Sequence, residues 1–172
     1  PLKSAAFSPD GRTVAVGAYG RGDPHKETPF CLWDISNPRQ PELLGGEEGH
    51  VRNSIVAMAF SNDGGILATG GNDGRVLLWD VTRPENPSRR NSIGSNAEFE
   101  DVISLAFLDD RETIVIGTVS AGAQLWNLSS RSPHRITRLP GPTGAVGDLA
   151  VTKSPTTGRT LLAAAGHDRN AY

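Results

Sequence analysis

Short apolar runs separated by clusters of turn-forming residues set the pattern of this chain. In its middle, positions 55–60, 66–69 and 76–81 are apolar, β-branched runs of four to six residues. Turn segments such as Ser-Pro-Asp-Gly at 8–11 lie between runs, where Pro fixes φ, Asp caps the local backbone and Gly adopts a positive φ. Because the runs are apolar at nearly every position, they predict short strands that are covered on both faces.

The pattern repeats along the chain. The three tryptophans, Trp33, Trp79 and Trp126, lie in similar apolar segments and are 46 and 47 residues apart. An Ala-Phe pair precedes each of them, with the phenylalanines at Phe7, Phe60 and Phe107. The spacing predicts repeated units at approximately 1–46, 47–94, 95–140 and 141–172, of which the first and last are truncated. Small sheets stacked in a row bury both of their faces, so the sequence predicts an all-β fold of the β-propeller type.

Charge and cysteine usage narrow the classes of partner. Lys and Arg number 17 against 19 Asp and Glu, which gives a net charge of −2. This balance gives no support for binding to nucleic acid or to an anionic membrane surface. No apolar run approaches the roughly 20 residues of a membrane helix. We therefore expect no nucleic-acid or membrane partner. The single cysteine, Cys31, excludes an internal disulfide and favours a reducing compartment, so we expect a cytoplasmic protein.

The repeated residues resemble the WD-repeat β-propeller family. The second unit carries the resemblance most fully, in Gly49-His50, the Ala-Phe-Ser-Asn-Asp-Gly segment at 59–64, Leu-Ala-Thr-Gly-Gly at 67–71, Asp73, and Leu-Trp-Asp at 78–80. The linkers at 34–38 and 80–84 look similar to those of bacterial WD-repeat arrays in large signalling proteins.

The resemblance implies blades of four antiparallel strands, the first nearest a central channel. In the second unit these strands are expected near 55–60, 66–70, 76–81 and 91–93. The 172 residues amount to about 3.7 blades and an incomplete ring. Such a segment needs either the remaining blades of its own chain or a second copy as a partner, because an open stack leaves an apolar sheet face exposed.

The resemblance also implies a structural tetrad in the second unit, formed by His50, Thr69, Asp73 and Trp79. In the family these residues form a hydrogen-bonded relay from the indole N–H to a buried carboxylate. The other units depart from the pattern, because the Thr position holds Val16, Ile116 or Ala164. We therefore expect the complete relay in one blade and apolar packing in the others.

Residues that could carry catalysis or hold a metal form no recognisable set. The four histidines, His25, His50, His134 and His167, are 25, 84 and 33 residues apart, which fits no zinc pattern. The carboxylates lie in turns and loops, no serine has the context of a hydrolase nucleophile, and no phosphate-binding glycine loop is present. The sequence predicts no catalytic residues, no metal, no cofactor and no enzymatic activity.

The function expected from the family is a non-enzymatic protein–protein interaction scaffold, within a larger protein that has a sensor or regulatory role. One alternative is a propeller-fold enzyme of the hydrolase type with its active site at the channel mouth, and another is a structural spacer. The scaffold hypothesis places a protein or peptide partner on the loop face of the blades. The candidate contacts there are Arg21, Asp23, His25, Lys26, Arg52, Asn53, Asn72, Glu98 and Phe99.

Overall fold

The computed structural model describes residues 2–18, 27–51, 54–94, 101–130, 132–141 and 144–167, with the backbone alone at 27–29 and 51. This part of the chain forms strands and turns, and it includes no helix of the length and hydrophobicity that crossing a bilayer requires. The strands are β1 (Leu2–Phe7), β2 (Thr13–Ala18), β3 (Glu27–Asp34), β4 (Glu42–Val51), β5 (Ile55–Phe60), β6 (Ile66–Gly71), β7 (Val76–Asp80), β8 (Ser88–Ile93), β9 (Val102–Phe107), β10 (Thr113–Thr118), β11 (Ala123–Asn127), β12 (His134–Arg138), β13 (Val146–Lys153) and β14 (Thr160–Gly166).

The strands form a row of antiparallel sheets. Strands β1–β4, β5–β8 and β9–β12 make three four-stranded sheets in sequence order, and β13–β14 make a two-stranded fourth sheet. The first strands contact one another in the order β1, β5, β9 and β13, so they lie on the inner side of the row. Strands β4, β8 and β12 are therefore outermost. The prediction of an all-β fold with four-stranded blades and an incomplete ring is confirmed.

The four strands of the second sheet lie close to where they were expected. Strands β5, β6 and β7 match the expected strands at 55–60, 66–70 and 76–81 to within one residue, and β8 begins at Ser88, before the weakly marked segment at 91–93. Strand β8 is polar and largely exposed, because it lies at the outer edge. An outer strand of this kind leaves little hydrophobic pattern for the sequence to reveal.

Apolar layers between neighbouring sheets hold the stack together. Phe30 and Leu32 of the first sheet pack in one cluster with Leu67, Leu77 and Trp79 of the second. The Phe30 and Trp79 rings have centroids 4.9 Å apart at an interplanar angle of 59°. Full burial of one such side chain stabilises the fold by about 1.5–3 kcal/mol.

The second sheet is covered on both faces. Its opposite face contributes residues such as Ala68, Leu78 and Ile93 to a layer with Ile114 and Trp126 of the third sheet. All six residues of β6 are buried. This confirms that the continuous apolar runs mark strands between two neighbours.

Tight turns join the first two strands of each complete sheet. In the turn from β5 to β6, the Ser61 hydroxyl donates to Asp63 Oδ1 at 2.6 Å and accepts the backbone N–H of Ile66 at 2.9 Å. Gly64 completes this turn with φ of 73°, and Gly11 has φ of 69° at the same place in the first sheet. The positive φ predicted for Gly11 is confirmed, and Gly64 has the same conformation.

In each four-stranded sheet, a glycine on the second strand allows the next sheet to pack closely against it. These glycines contact the first residue of the following sheet, in the pairs Gly17 with Ile55, Gly70 with Val102 and Gly117 with Val146. A Cβ at Gly70 would lie 2.5 Å from Val102 Cγ1, which is closer than real Cβ contacts allow. Sequence reasoning missed this device, because each pair joins residues from different units.

Candidate functional site

The four residues of the expected tetrad come from two neighbouring sheets. His50 lies on β4, the outermost strand of the first sheet, whereas Thr69 and Trp79 lie on β6 and β7 of the second. Asp73 lies in the turn that joins β6 to β7. The predicted unit boundary at 46/47 falls within β4, so the sequence repeat and the sheet are offset and the tetrad bridges two blades.

Hydrogen bonds connect the four side chains into one relay. Trp79 Nε1 donates to Thr69 Oγ1 at 3.0 Å, and Thr69 Oγ1 lies 2.9 Å from His50 Nε2. His50 Nδ1 lies 3.0 and 3.1 Å from the two carboxylate oxygens of Asp73. His50 Nε2 also lies 3.2 Å from the Thr69 carbonyl oxygen, so both ring nitrogens of the buried imidazole have hydrogen-bond partners.

The relay is a structural element. A His beside an Asp and a hydroxyl has the composition of a catalytic triad, but His50 is 1% exposed and Thr69 is fully buried. The Thr69 oxygen also accepts the indole N–H, so it does not present a free nucleophile to a substrate. A fully satisfied buried network of this kind fixes one arrangement of its strands. Here it attaches the outer strand of the first sheet to the second sheet.

The third sheet satisfies its tryptophan differently. Trp126 Nε1 donates to Gln124 Oε1 at 3.3 Å, and Arg135 Nη1 reaches the same oxygen at 3.4 Å. Gln124 is 1% exposed and its Nε2 has no hydrogen-bond partner. Sequence reasoning expected apolar packing here and missed Gln124. Its signal was a lone amide in the otherwise apolar segment 123–126.

The structure describes one of the nine partner-contact candidates. Asn72 is exposed in the turn from β6 to β7, next to the tetrad residue Asp73. The other candidates lie outside the described residues, and they are Arg21, Asp23, His25, Lys26, Arg52, Asn53, Glu98 and Phe99.

Four carboxyls have lowered pKa values, each caused by its own turn. Hydroxyl hydrogen bonds from Ser8, Ser61 and Thr82 are the main cause for Asp10, Asp63 and Asp80 respectively, and the backbone N–H of Ser36 lowers the pKa of Asp34. A general acid needs a raised pKa, whereas these groups are held in the ionised form. Asp10 and Asp63 line one cavity of about 570 Å³, but the hydrogen bonds in their turns favour the carboxylate form of both, so neither is suited to act as a general acid there.

The remaining titratable residues form no metal site within the described part of the chain. No group of three or more His, Cys, Asp or Glu side chains there is placed to hold an ion. His134 is exposed at the start of β12, and His167 follows β14 with its backbone N–H on the Ala145 carbonyl at 2.9 Å. Cys31 is a free, partly buried thiol on β3.

Comparison with known proteins finds repeat proteins of one kind. The family model described as "WD domain, G-beta repeat" matches residues 42–80. A periodic tryptophan protein 2 homolog from Neurospora crassa is 28% identical over 127 residues, which is 72% of this chain and 12% of that protein. Cell division cycle 20.1, cofactor of APC complex, from Arabidopsis thaliana is 31% identical over 154 residues, or 87% of this chain and 30% of that protein.

A solved structure supports the same arrangement of strands. The crystal structure of Sqt1 from Chaetomium thermophilum aligns with a TM-score of 0.73 and 25% identity, over 97% of this chain and 42% of that one. This chain therefore spans less than half of the length of the proteins it matches. All three of these proteins are eukaryotic.

Proposed function

Because this chain belongs to the WD-repeat β-propeller family, we propose that it is a segment of a non-enzymatic scaffold that binds a protein or peptide partner. The observation that supports this most directly is the bridged stack of sheets, in which the buried relay from His50 to Trp79 joins one blade to the next. A rigid stack presents its loops in fixed positions, and loops can vary without disturbing the strands. The Arabidopsis relative is by its name a cofactor of a complex, so a component of a multiprotein assembly is the kind of partner we propose.

The partner site of this proposal is one end of the stack, which we call the loop end. Strand direction alternates within each sheet, so the connections that follow even-numbered strands share this end. Among the described residues, the loop end includes the exposed Asn72 and the turn 119–122 between β10 and β11. The proposal keeps the sequence-predicted contacts Arg52, Asn53, Glu98 and Phe99, which lie outside the described residues. Arginine and aromatic side chains are the usual anchors of protein interfaces.

The first sheet has a face that a further blade would cover. Phe7, Val14, Trp33 and Leu43 lie directly opposite one another across its four strands. Phe7 is 67% exposed, whereas Phe107 in the same position of the third sheet is 5% exposed. The proposal therefore includes either the remaining blades of the same chain or a second copy, packed on the face that carries these four side chains. A rigid loop end depends on that contact, because an uncovered sheet would leave the stack open.

The proposal extends to the cellular setting. One free thiol, Cys31, and the absence of any other cysteine fit a reducing compartment, so we place the protein in the cytoplasm. A bacterial origin, suggested by the linkers, stays a prediction. A sensor or regulatory role in a larger protein also stays part of the proposal.

The test is partner capture by the full-length protein from its native lysate. Alanine at Arg52 and Phe99 is expected to reduce the captured partner about tenfold or more, as loss of interface anchors does. The matched control is Arg39→Ala, an exposed arginine in the linker at the opposite end. Thermal melting should place both variants within about 0.5 kcal/mol of the wild type, as is usual for surface changes. Equal capture by all three proteins would contradict a partner site at the loop end.

A further inference from the structure

The outer strands of the three complete sheets differ in charge. Strand β8 carries Arg89 and Arg90, strand β12 carries Arg135 and Arg138, and neither strand carries a carboxylate. Strand β4 has three glutamates and no Lys or Arg. The whole chain has a net charge of −2, so this basic stretch across the second and third sheets is a local feature.

A cleft opens between the outer parts of the second and third sheets, and we call it the rim cleft. It has a volume of about 410 Å³, and its lining includes Leu78, Arg90, Leu128, Ser129 and Ser130. The apolar floor comes from the layer between the two sheets. The polar part of the lining includes the exposed guanidinium group of Arg90, which is suited to a carboxylate, and the hydroxyls of Ser129 and Ser130, which donate to Asn127 Oδ1 and to the Ser132 carbonyl.

Two more arginines lie on β12 of the third sheet, outside the lining of the cleft. Arg135 lies opposite Trp126 and Arg138 lies opposite Gln124 in the register of β11 with β12. Directly opposite residues of an antiparallel pair project from the same face of the sheet. The indole of Trp126 packs in the layer between the second and third sheets, so Arg135 and Arg138 project from that face as well.

These guanidinium groups are available to an external anion. Within the described residues, the ion pairs of arginine and lysine join Arg111 to Asp63 and Lys153 to Asp109, and none involves Arg90, Arg135 or Arg138. Arg135 reaches the neutral oxygen of Gln124. Arg90 acts on Asp80 only from beyond ion-pair distance. All of the arginines on β8 and β12 are exposed.

The backbone of β12 indicates which anion fits. This strand is at the edge of its sheet, and all five of its residues are exposed. An edge strand presents unpaired N–H and C=O groups, to which an extended peptide can add as a further strand. Duplex nucleic acid can use the arginines but cannot use the row of backbone donors and acceptors. The combination of a sheet edge with arginines therefore favours a polypeptide.

We propose that the rim cleft binds an extended, Asp- or Glu-rich polypeptide segment, which adds to the edge of β12 and places its carboxylates on Arg90, Arg135 and Arg138. Arg90 lies within β8 and Arg135 lies near the start of β12, whereas Arg138 is the last residue of β12 and borders the loop end. The rim cleft itself lies away from the loop connections, so it would give the scaffold a second partner site. Alternate side chains of the bound segment point toward the cleft, because successive residues of a strand face opposite sides.

The test measures peptide binding to the full-length protein by fluorescence anisotropy. The probe is a fluorescein-labelled peptide of about ten residues with alternating Glu and Thr, long enough for one strand. One control peptide replaces every Glu with Gln. A second keeps every Glu and replaces alternate Thr with Pro, which preserves the charge but removes backbone donors.

The protein variants separate the rim cleft from general charge. Arg90→Glu with Arg138→Glu is expected to weaken binding of the acidic probe about tenfold or more, and both control peptides should bind wild type about tenfold more weakly than the probe. Arg135 is left intact because it contacts the buried Gln124. The matched control, Arg39→Glu with Arg83→Glu, makes the same charge change at exposed linker positions and should bind like wild type.

Three results would overturn the proposal. The first is that the Arg90→Glu, Arg138→Glu variant and the Arg39→Glu, Arg83→Glu control bind the acidic probe equally well. The second is that the proline-containing peptide binds wild type as tightly as the probe does, and the third is that a short DNA duplex binds more tightly than the probe in a way that depends on Arg90 and Arg138. The variants at Arg52 and Phe99 provide the link to the loop end. They should bind the acidic probe like wild type, so failure at one site is distinguishable from failure at the other.

Discussion

The ring of Trp79 on the second sheet packs directly against the backbone of Gly49 on the first. A Cβ built on Gly49 would lie 2.8 Å from both Cζ2 and Cη2 of Trp79. Gly49 precedes His50, so the Gly-His pair performs two tasks at one place. The glycine has no side chain that would collide with the indole ring. The histidine is the next member of the hydrogen-bonded relay, which runs from the same indole through the Thr69 hydroxyl to His50 Nε2.

Gly49→Ala should lower the free energy of unfolding by about 1–3 kcal/mol, because its methyl group would overpack a filled layer. Gly144→Ala is the matched control, since a Cβ there meets no atom within 4 Å. Urea unfolding of the full-length proteins measures both. Equal stability of the two variants would show that the indole does not occupy this position in solution.

Trp79→Phe should lower the free energy of unfolding by about 1–3 kcal/mol, because it removes the donor to the buried Thr69 hydroxyl. Trp126→Phe should lower the free energy of unfolding by less through lost hydrogen bonding, because the Gln124 oxygen keeps Arg135 as a donor. The double variant Thr69→Val with Trp79→Phe should cost less than the sum of its single changes, as residues in one network do. Strict additivity in denaturant melts would argue against the relay.

Gly70→Ala should destabilise the junction between the second and third sheets by about 1–3 kcal/mol. Its new methyl group would lie 2.5 Å from Val102 Cγ1. Adding Val102→Ala in the same protein makes room for that methyl group, so part of the loss should be recovered relative to Val102→Ala alone. Thermal melting of wild type, the two single variants and the double variant gives the four stabilities of this double-mutant cycle. If the double variant recovers no stability, the added methyl group does not collide with Val102.

Asp63→Asn should reduce the acid sensitivity of folding. The Ser61 hydroxyl, followed by the Gly65 N–H and Arg111, holds the pKa of Asp63 below its ordinary value of 3.8. A carboxyl with a lowered folded-state pKa contributes stability above its unfolded-state value, and that contribution is lost as the pH falls through the folded-state pKa. The difference in unfolding free energy between wild type and variant should therefore be present near neutral pH and shrink below 3.8.

Urea melts over a pH series measure this difference. Glu42→Gln, which changes an exposed carboxylate on β4, is the control for general charge effects. A difference between wild type and Asp63→Asn that stays constant down to the lowest pH would contradict the role of the ionised Asp63 in its turn.

Local patterns account for what the sequence revealed. The continuous apolar runs and the turn segments located β5, β6 and β7, because two-sided burial leaves a direct mark on composition. The polar strands β8 and β12 leave almost none, since their side chains lie in solvent. The tetrad was an expectation from the resemblance of the second unit to the WD-repeat family, not from spacing alone.

Contacts between sheets were beyond sequence reasoning. Nothing near Gly70 indicates that Val102 will lie against it, and nothing near Gln124 indicates that its oxygen will serve both Trp126 and Arg135. These contacts depend on how one sheet is placed on the next. The charge of the rim cleft was hidden for the same reason, because its arginines come from strands about 45 residues apart in sequence.

The central claim is that this chain is one stretch of a continuous stack whose first face is covered in the complete protein, since a scaffold needs rigid blades. The most direct measurement compares Phe7→Ala with Phe107→Ala in the full-length protein by equilibrium unfolding. Phe7 is 67% exposed in this segment and Phe107 is 5% exposed. We expect both changes to cost about 3–5 kcal/mol, as truncation of a buried Phe does. A cost within about 0.5 kcal/mol for Phe7→Ala, beside a full cost for Phe107→Ala, would contradict the claim.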